Sequence, residues 1–175
     1  AVYLYDSDNN TLTSNNISST GSLTMGIRIE YAHDNDILSN NISTKGGENI
    51  YLYNSDNLIA ESNTLLSDQQ YAYGFYTYLS EYATLFNNTI ILNSNDTTGI
   101  FLDEHSDHAN ISSNTIYIVG NDSGGIYIYD SNNISSYDNS INVSGESSEG
   151  LLIYNSNYSF VNSNSINVSG LYVTG

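Results

Sequence analysis

Residues 125–131 read GIYIYDS, with aliphatic and aromatic side chains alternating at a period of two. Neighbouring side chains of a strand point to opposite faces, so this stretch predicts a half-buried strand. Ile126 and Ile128 then face a core, and Tyr127 and Tyr129 face outward. The stretch recurs as AVYLYDS from Ala1, GIRIEYA from Gly26, NIYLYNS from Asn49, GFYTYLS from Gly74, GIFLDEH from Gly99 and GLLIYNS from Gly150. Read in the same phase, the inward positions are Val2, Ile27, Ile50, Phe75, Ile100, Ile126, Leu151 and Leu171. Beside them lie Leu4, Ile29, Leu52, Thr77, Leu102, Ile128, Ile153 and Val173. The outward face carries two mostly aromatic ladders that include Tyr3, Tyr5, Tyr51, Tyr53, Tyr76, Tyr78, Phe101, Tyr127, Tyr129, Tyr154 and Tyr172.

A second marker keeps step with the first. Asn15, Asn40, Asn63, Asn88, Asn114, Asn139 and Asn164 follow one another at 25, 23, 25, 26, 25 and 25 residues, each with an aliphatic residue two positions on. A period of this size without a helical pattern means stacked coils. The fold expected is all-β: one parallel β-helix, a β-solenoid with uncapped ends spanning residues 1–175. Its coils would number about seven, of 23–26 residues, starting near Ala1, Gly26, Asn49, Gly74, Gly99, Gly125 and Gly150, with a partial eighth from Gly170. Seven rungs would make a column of roughly 34 Å. Each asparagine reads as a turn residue that feeds a second strand, because Asn tolerates left-handed backbone and bonds to nearby main chain. Stacked amides would also form a hydrogen-bonded ladder. The chain holds no proline, as a column of central strands that use every N–H requires.

Composition removes several function classes. Arg28 and Lys45 are the only two basic residues against 19 acidic ones, for a formal charge of −17. Such a surface repels phosphate backbones and anionic headgroups, which argues against nucleic-acid partners. No apolar run approaches the roughly 20 residues that span a bilayer, so no membrane insertion is expected. With no cysteine there are neither disulfides nor thiolate metal sites.

With these repeats the chain resembles the right-handed parallel β-helices of the pectin-lyase-like superfamily, in particular the Asn- and Tyr-rich repeats of archaeal adhesin-like, surface-layer and sheath proteins. The resemblance covers the whole chain and implies fold more than function. It also implies a test for polysaccharide cleavage, since lyases of that superfamily need clustered acidic calcium ligands and a basic residue. Here both basic residues sit in the second coil and its following turn, away from the acidic cluster, and no NTD, GHG or RIK-like set is present. An enzyme is therefore not expected.

The sharpest polar cluster is Asp103, Glu104, His105, Asp107 and His108, in the coil with one extra residue. Carboxylate and imidazole could hold a divalent metal, but a solvated, bulged turn explains the same residues more simply. His33 is isolated and expected to face solvent. Acidic turns at Asp6 and Asp130 suit loosely bound divalent cations rather than a specific ion, and no cofactor is expected. Among many N-x-[ST] sequons, Asn95 and Asn121, in long Gly/Ser/Thr-rich turns, are the preferred glycosylation candidates. The tyrosine ladders suit packing against another subunit, with glycan stacking as the alternative. Since strand-like segments stand near both ends, the expected function is a secreted structural protein that stacks end to end with copies of itself into a filament, surface layer or sheath. An adhesin-like carbohydrate-binding module is the alternative, and a polysaccharide lyase or hydrolase the third.

Overall fold

A computed structural model describes residues 1–21, 24–172 and 174–175. Val173, expected on the inward face, lies outside the described residues. The described residues form three seven-stranded parallel sheets and no helix. The first sheet contains the alternating stretches, from Val2–Tyr5 through Gly124–Tyr129 to Glu149–Tyr154. The second is built from three-residue strands such as Thr11–Thr13, Thr84–Phe86 and Ser135–Tyr137. The third holds the strands after each asparagine, from Asn16–Ser19 to Ser165–Ser169. Each coil visits the three sheets in turn and pairs only with the coils before and after it. The asparagine segment therefore feeds a third strand, not a second.

The inward assignment holds through the middle coils: Ile27, Ile50, Phe75, Ile100 and Ile126 stack in register and are fully buried. The second sheet adds Ile37, Ala60, Leu85 and Ile111, and the third adds Ile42, Leu65, Ile90, Ile116 and Ile141. Thr77 sits in the same column as Leu52 and Leu102, fully buried, and its hydroxyl has no hydrogen-bond partner. A buried hydroxyl without a partner costs about 1–3 kcal/mol. Thr77→Val, which keeps the shape, is expected to stabilise the protein by about 1 kcal/mol in urea denaturation. An unchanged or lowered midpoint would show that the hydroxyl is satisfied.

Turning the chain at the corners requires left-handed backbone. Four kinds of corner supply it, exemplified by Asp130, Asn133, Asp138 and Asp122, with φ of 47°, 57°, 55° and 53°. At the asparagine corner the left-handed residue precedes the asparagine: Ser14, Ser39, Ser62, Asn87, Ser113, Asp138 and Ser163. The asparagines instead turn inward, and Asn40, Asn63, Asn88, Asn114 and Asn139 are buried. Each Oδ1 accepts both the backbone N–H and the Nδ2–H of the asparagine one coil earlier, as Asn88 does from Asn63 at 2.9 and 3.0 Å. The second Nδ2 proton goes to a backbone carbonyl one coil back, as from Asn114 to Leu85 at 2.8 Å. The expected ladder is present, and it meets the main-chain needs of the corner as well as its own.

Two length irregularities have local causes. The extra residue of the fifth coil sits at a corner, where Glu104 and His105 are both left-handed in place of a single residue such as Leu79 or Asp130. Ser106 then regains the register, its N–H bonding to Ser131 Oγ at 3.2 Å. The 23-residue spacing arises between Thr44 and Ile50, where the chain crosses from the third sheet to the first in two residues fewer than from Ser67 to Phe75. Asn49 fills the space left, its Nδ2 donating to the carbonyls of Ile42 and Leu66.

The partial eighth coil expected from Gly170 differs in register. Gly145 N–H bonds to Ser169 O, Ser147 N–H bonds to Leu171 O, and Thr174 pairs with Glu149. Residues 170–172 thus follow the turn after Val143, not the strand from Gly150. Leu171 is exposed rather than inward. Tyr172 is a left-handed turn residue (φ 57°), equivalent to Ser147, and does not extend the aromatic ladder. Ile153, expected inside, is 38% exposed in the last coil.

Candidate functional site on the outer aromatic face

The outward residues of the first sheet form one column through Tyr3, Arg28, Tyr51, Tyr76, Phe101, Tyr127 and Leu152. A second runs through Tyr5, Glu30, Tyr53, Tyr78 and Asp103, and resumes with Tyr129 and Tyr154 beyond the extra residue. Parallel register places like rings one coil apart, close to the preferred separation of aromatic pairs. Tyr76 and Phe101 stack at 5.3 Å, Tyr53 and Tyr78 at 5.7 Å, and Tyr129 lies 5.2 Å from Tyr154. Apart from Tyr172, every aromatic residue expected outward is on this face, the central ones half-buried by their neighbours.

Four of the hydroxyls are already engaged. Tyr3 donates to Glu30 at 2.6 Å, Tyr76 to Asp103 at 3.0 Å, Tyr78 to Glu104 at 2.6 Å, and Tyr127 to Glu149. A phenol that donates to a carboxylate resists ionisation, because the phenolate would lose the bond and face the anion. The bond to Glu104 pushes Tyr78 up to about 12, and the neighbouring Tyr53 does the same for Tyr31, whose ring centroid lies 5.2 Å from that of Tyr53. Burial first, and the carboxylate second, raise Tyr76 and Tyr127. The neutral phenol is favoured in the folded state, so this contribution is complete below the unfolded value near 10 and is lost as pH rises through about 12. Tyrosinate absorbance is expected to rise in two groups during alkaline titration, the later one coinciding with unfolding. Tyr78→Phe should remove one late-titrating phenol. A single transition near 10 with the fold intact would contradict the assignment.

Arg28 is held between rungs. Its guanidinium carbon lies 5.2 Å from the Tyr3 ring centroid and 5.9 Å from that of Tyr51, and it donates to Glu30 through Nε at 2.7 Å and through a terminal nitrogen. This cation–π sandwich closes on a buried carboxylate, so the Arg28 guanidinium is fully engaged within its own face.

The residues proposed around the extra residue do not converge. Asp103 and Glu104 take the Tyr76 and Tyr78 hydroxyls, Asp107 accepts Asn132 N–H at 2.6 Å, and His108 stacks on Tyr82 at 4.8 Å. His105 borders a shallow groove with Glu104 and Asp130. His33, expected to be solvated, is half-buried, with its Nδ1 3.0 Å from the Asp56 backbone N–H that donates to it. Asp8, His33, Asp56, Asp107 and Asn132 each accept an N–H one coil later, a corner ladder that spacing alone does not reveal. Ser55, Ser131 and Ser156 make another, signalled by the serine that ends most copies of the opening motif. Asn95 and Asn121 are exposed, but Asn95 Oδ1 accepts Asn121 N–H and Asn121 Oδ1 accepts Glu146 N–H, both at 2.9 Å.

A copper centre wants clustered imidazole or sulfur donors. The chain offers three histidines, Met25 and no cysteine, and His33 stands three coils, about 14 Å, from His105 and His108. Among the described residues no group of three or more His, Cys, Asp or Glu side chains gathers to hold a metal ion. The donors present do not fit such a centre. No helix among the described residues is long and apolar enough to cross a membrane.

No curated protein matches the chain. A family model described as periplasmic copper-binding protein (NosD) matches residues 1–142, most of the coils whose geometry is given above, and the chain therefore belongs to the NosD family.

Proposed function

We propose that this β-helix is a non-catalytic structural protein outside the cytoplasm whose column stacks edge to edge with copies of itself into a filament, surface layer or sheath. The observation that carries this reading is the equivalence of successive coils. All three sheets keep parallel register from coil to coil, and the asparagine ladder repeats the same bonds at each step. Between coils of regular length the lower edge of one thus matches the upper edge of another, including one in a second molecule, and such heterologous contacts propagate. The family description supports an extracytoplasmic location, whereas its copper is not supported by the donor set here. Close lateral packing of columns at −17 each would call for loosely held divalent cations between carboxylates. With Arg28 locked to Glu30, little supports polysaccharide cleavage. Glycan stacking also has less to rest on, because four tyrosine hydroxyls on the face already serve carboxylates.

Electron microscopy and size-exclusion chromatography of the purified protein test the proposal. Ordered polymers that resist detergent and trypsin, which has only Arg28 and Lys45 to cut after, are expected. A monodisperse monomer with and without calcium would remove the array. Binding on a glycan array that is lost in Tyr127→Ala and Tyr129→Ala would favour the adhesin-like alternative.

A further inference from the structure

Upstream of the two aromatic columns, a third outward column runs through Glu48, Tyr73, Thr98, Gly124 and Glu149. Its middle members are small, and the Tyr127 ring lies over Gly124, where a Cβ would collide with it. Between Tyr73 and Tyr127 this leaves a recess of about 420 Å³ over Thr98. Tyr73, Phe101, Tyr127 and Tyr129 line it, with Asp96 and Asp122 from the adjoining left-handed turns. Phe101 is the hub, 5.8 Å from Tyr73, 6.2 Å from Tyr127 and 5.4 Å from Tyr129. Neither basic residue of the chain contributes to the lining.

The chemistry of this recess is that of a cation acceptor. Aromatic faces present negative potential, and both charged groups at the edge are carboxylates. Asp96 is engaged by a neutral donor, Gln70 Nε2 at 2.7 Å. The same molecule shows how such a surface holds a guanidinium, for Arg28 occupies the Phe101 column three coils earlier, flanked by two tyrosines and bonded to a carboxylate. At the recess the rings and carboxylates are present without a basic residue.

We propose that this recess docks an arginine side chain presented by a basic segment of a partner protein. A second copy of this chain is a poor source: its Arg28 is bound to its own Glu30, and Lys45 is its one other basic residue. The planar guanidinium stacks on rings and reaches carboxylates at its edges, which an ammonium does less well. The proposal is independent of whether the columns polymerise.

Isothermal titration at low salt with a Gly-Arg-Gly-Arg-Gly peptide, against its lysine counterpart, tests it. The arginine peptide is expected to bind at least threefold more tightly. Asp96→Asn combined with Asp122→Asn should weaken binding at least tenfold. A charge-matched pair away from the recess, Asp6→Asn with Asp138→Asn, should change it less than twofold. Phe101→Leu should weaken binding at least threefold, and its fold is safe because Leu152 stands naturally in that column. Absence of binding, equal loss in the two charge-matched pairs, equal affinity for the lysine peptide, or no effect of Phe101→Leu would each overturn the proposal.

Discussion

Asn88→Ala is expected to lower stability by about 4 kcal/mol, among the largest effects any single side chain in this column can produce. Asn88 is buried and completes four contacts. Its Oδ1 receives the N–H and Nδ2–H of Asn63, and its Nδ2 donates to Ala60 O at 2.9 Å and to Asn114 Oδ1 at 3.0 Å. Alanine would strand two donors of Asn63 where water does not reach, each at about 1–3 kcal/mol, and would leave a void besides. Stability in a stacked array is close to a sum of coil terms and nearest-neighbour interfaces. A break at the fourth asparagine corner is therefore expected to lower the slope of urea denaturation as well as its midpoint, as the halves begin to unfold separately. Asn15→Ala is the control: Asn15 is exposed and donates only to Asn40 Oδ1, so its loss should cost less than about 1 kcal/mol. Asn88→Asp separates geometry from donor chemistry. It keeps an acceptor for Asn63 but buries a charge beside the Asn114 amide oxygen, so its stability should recover as pH falls and the acid is protonated. Equal losses at positions 15 and 88 would mean that the ladder follows the fold without supporting it.

The sequence makes the first sheet legible because its strands are four to six residues long with strict alternation, enough for faces to be assigned side chain by side chain. The second sheet escapes the same reasoning. In strands such as Ser135–Tyr137 only the middle residue faces inward, and across coils that position is Leu12, Ile37, Ala60, Leu85, Ile111, Ser136 and Val161. Three residues show no period, and a column of mixed size shows no consensus. The asparagine is legible as a ladder, but the left-handed turn that its residue type suggests is made by the residue before it, a serine in five of the seven coils. Both are Asx or hydroxyl turn residues, and only burial distinguishes them. GLYVTG at Gly170 imitates a first-sheet strand locally, yet the coil count of 25 from Gly145 places residues 170–172 in a turn, in line with the bond from Ser147 N–H to Leu171 O. The outer face was legible as a list of rings. Its pairing with carboxylates was not, because each bond joins residues 22 to 27 apart and depends on side-chain reach across coils.

Gly99→Ala is expected to cost about 2–4 kcal/mol, although an alanine is ordinarily the better strand residue. The first-sheet stretches open on glycine at positions 26, 74, 99, 125 and 150, where the chain leaves the turn beside the third sheet. A Cβ at 99 would stand 2.6 Å from the Gly125 carbonyl oxygen and 2.7 Å from Ile116 Cγ2. The backbone of Gly99 is not left-handed, so the requirement is space and not conformational freedom. Alanine would gain about 0.5–1 kcal/mol from chain entropy. Overpacking of this kind costs about 1–3 kcal/mol and more where backbone must move, and here one of the colliding atoms is the carbonyl of the next coil. Trimming the other, in Gly99→Ala with Ile116→Ala, should not restore stability, since the carbonyl contact remains and a cavity is added. Coil three is the informative exception: Asn49 stands at this position, buried, in the space left where the 44–50 crossing is two residues short. Inserting two residues there should therefore destabilise the wild type yet be tolerated when combined with Asn49→Gly. Thermal denaturation of the four variants decides it: if the insertion is tolerated equally with asparagine and with glycine, contact between coils is not what selects the residue that opens each strand.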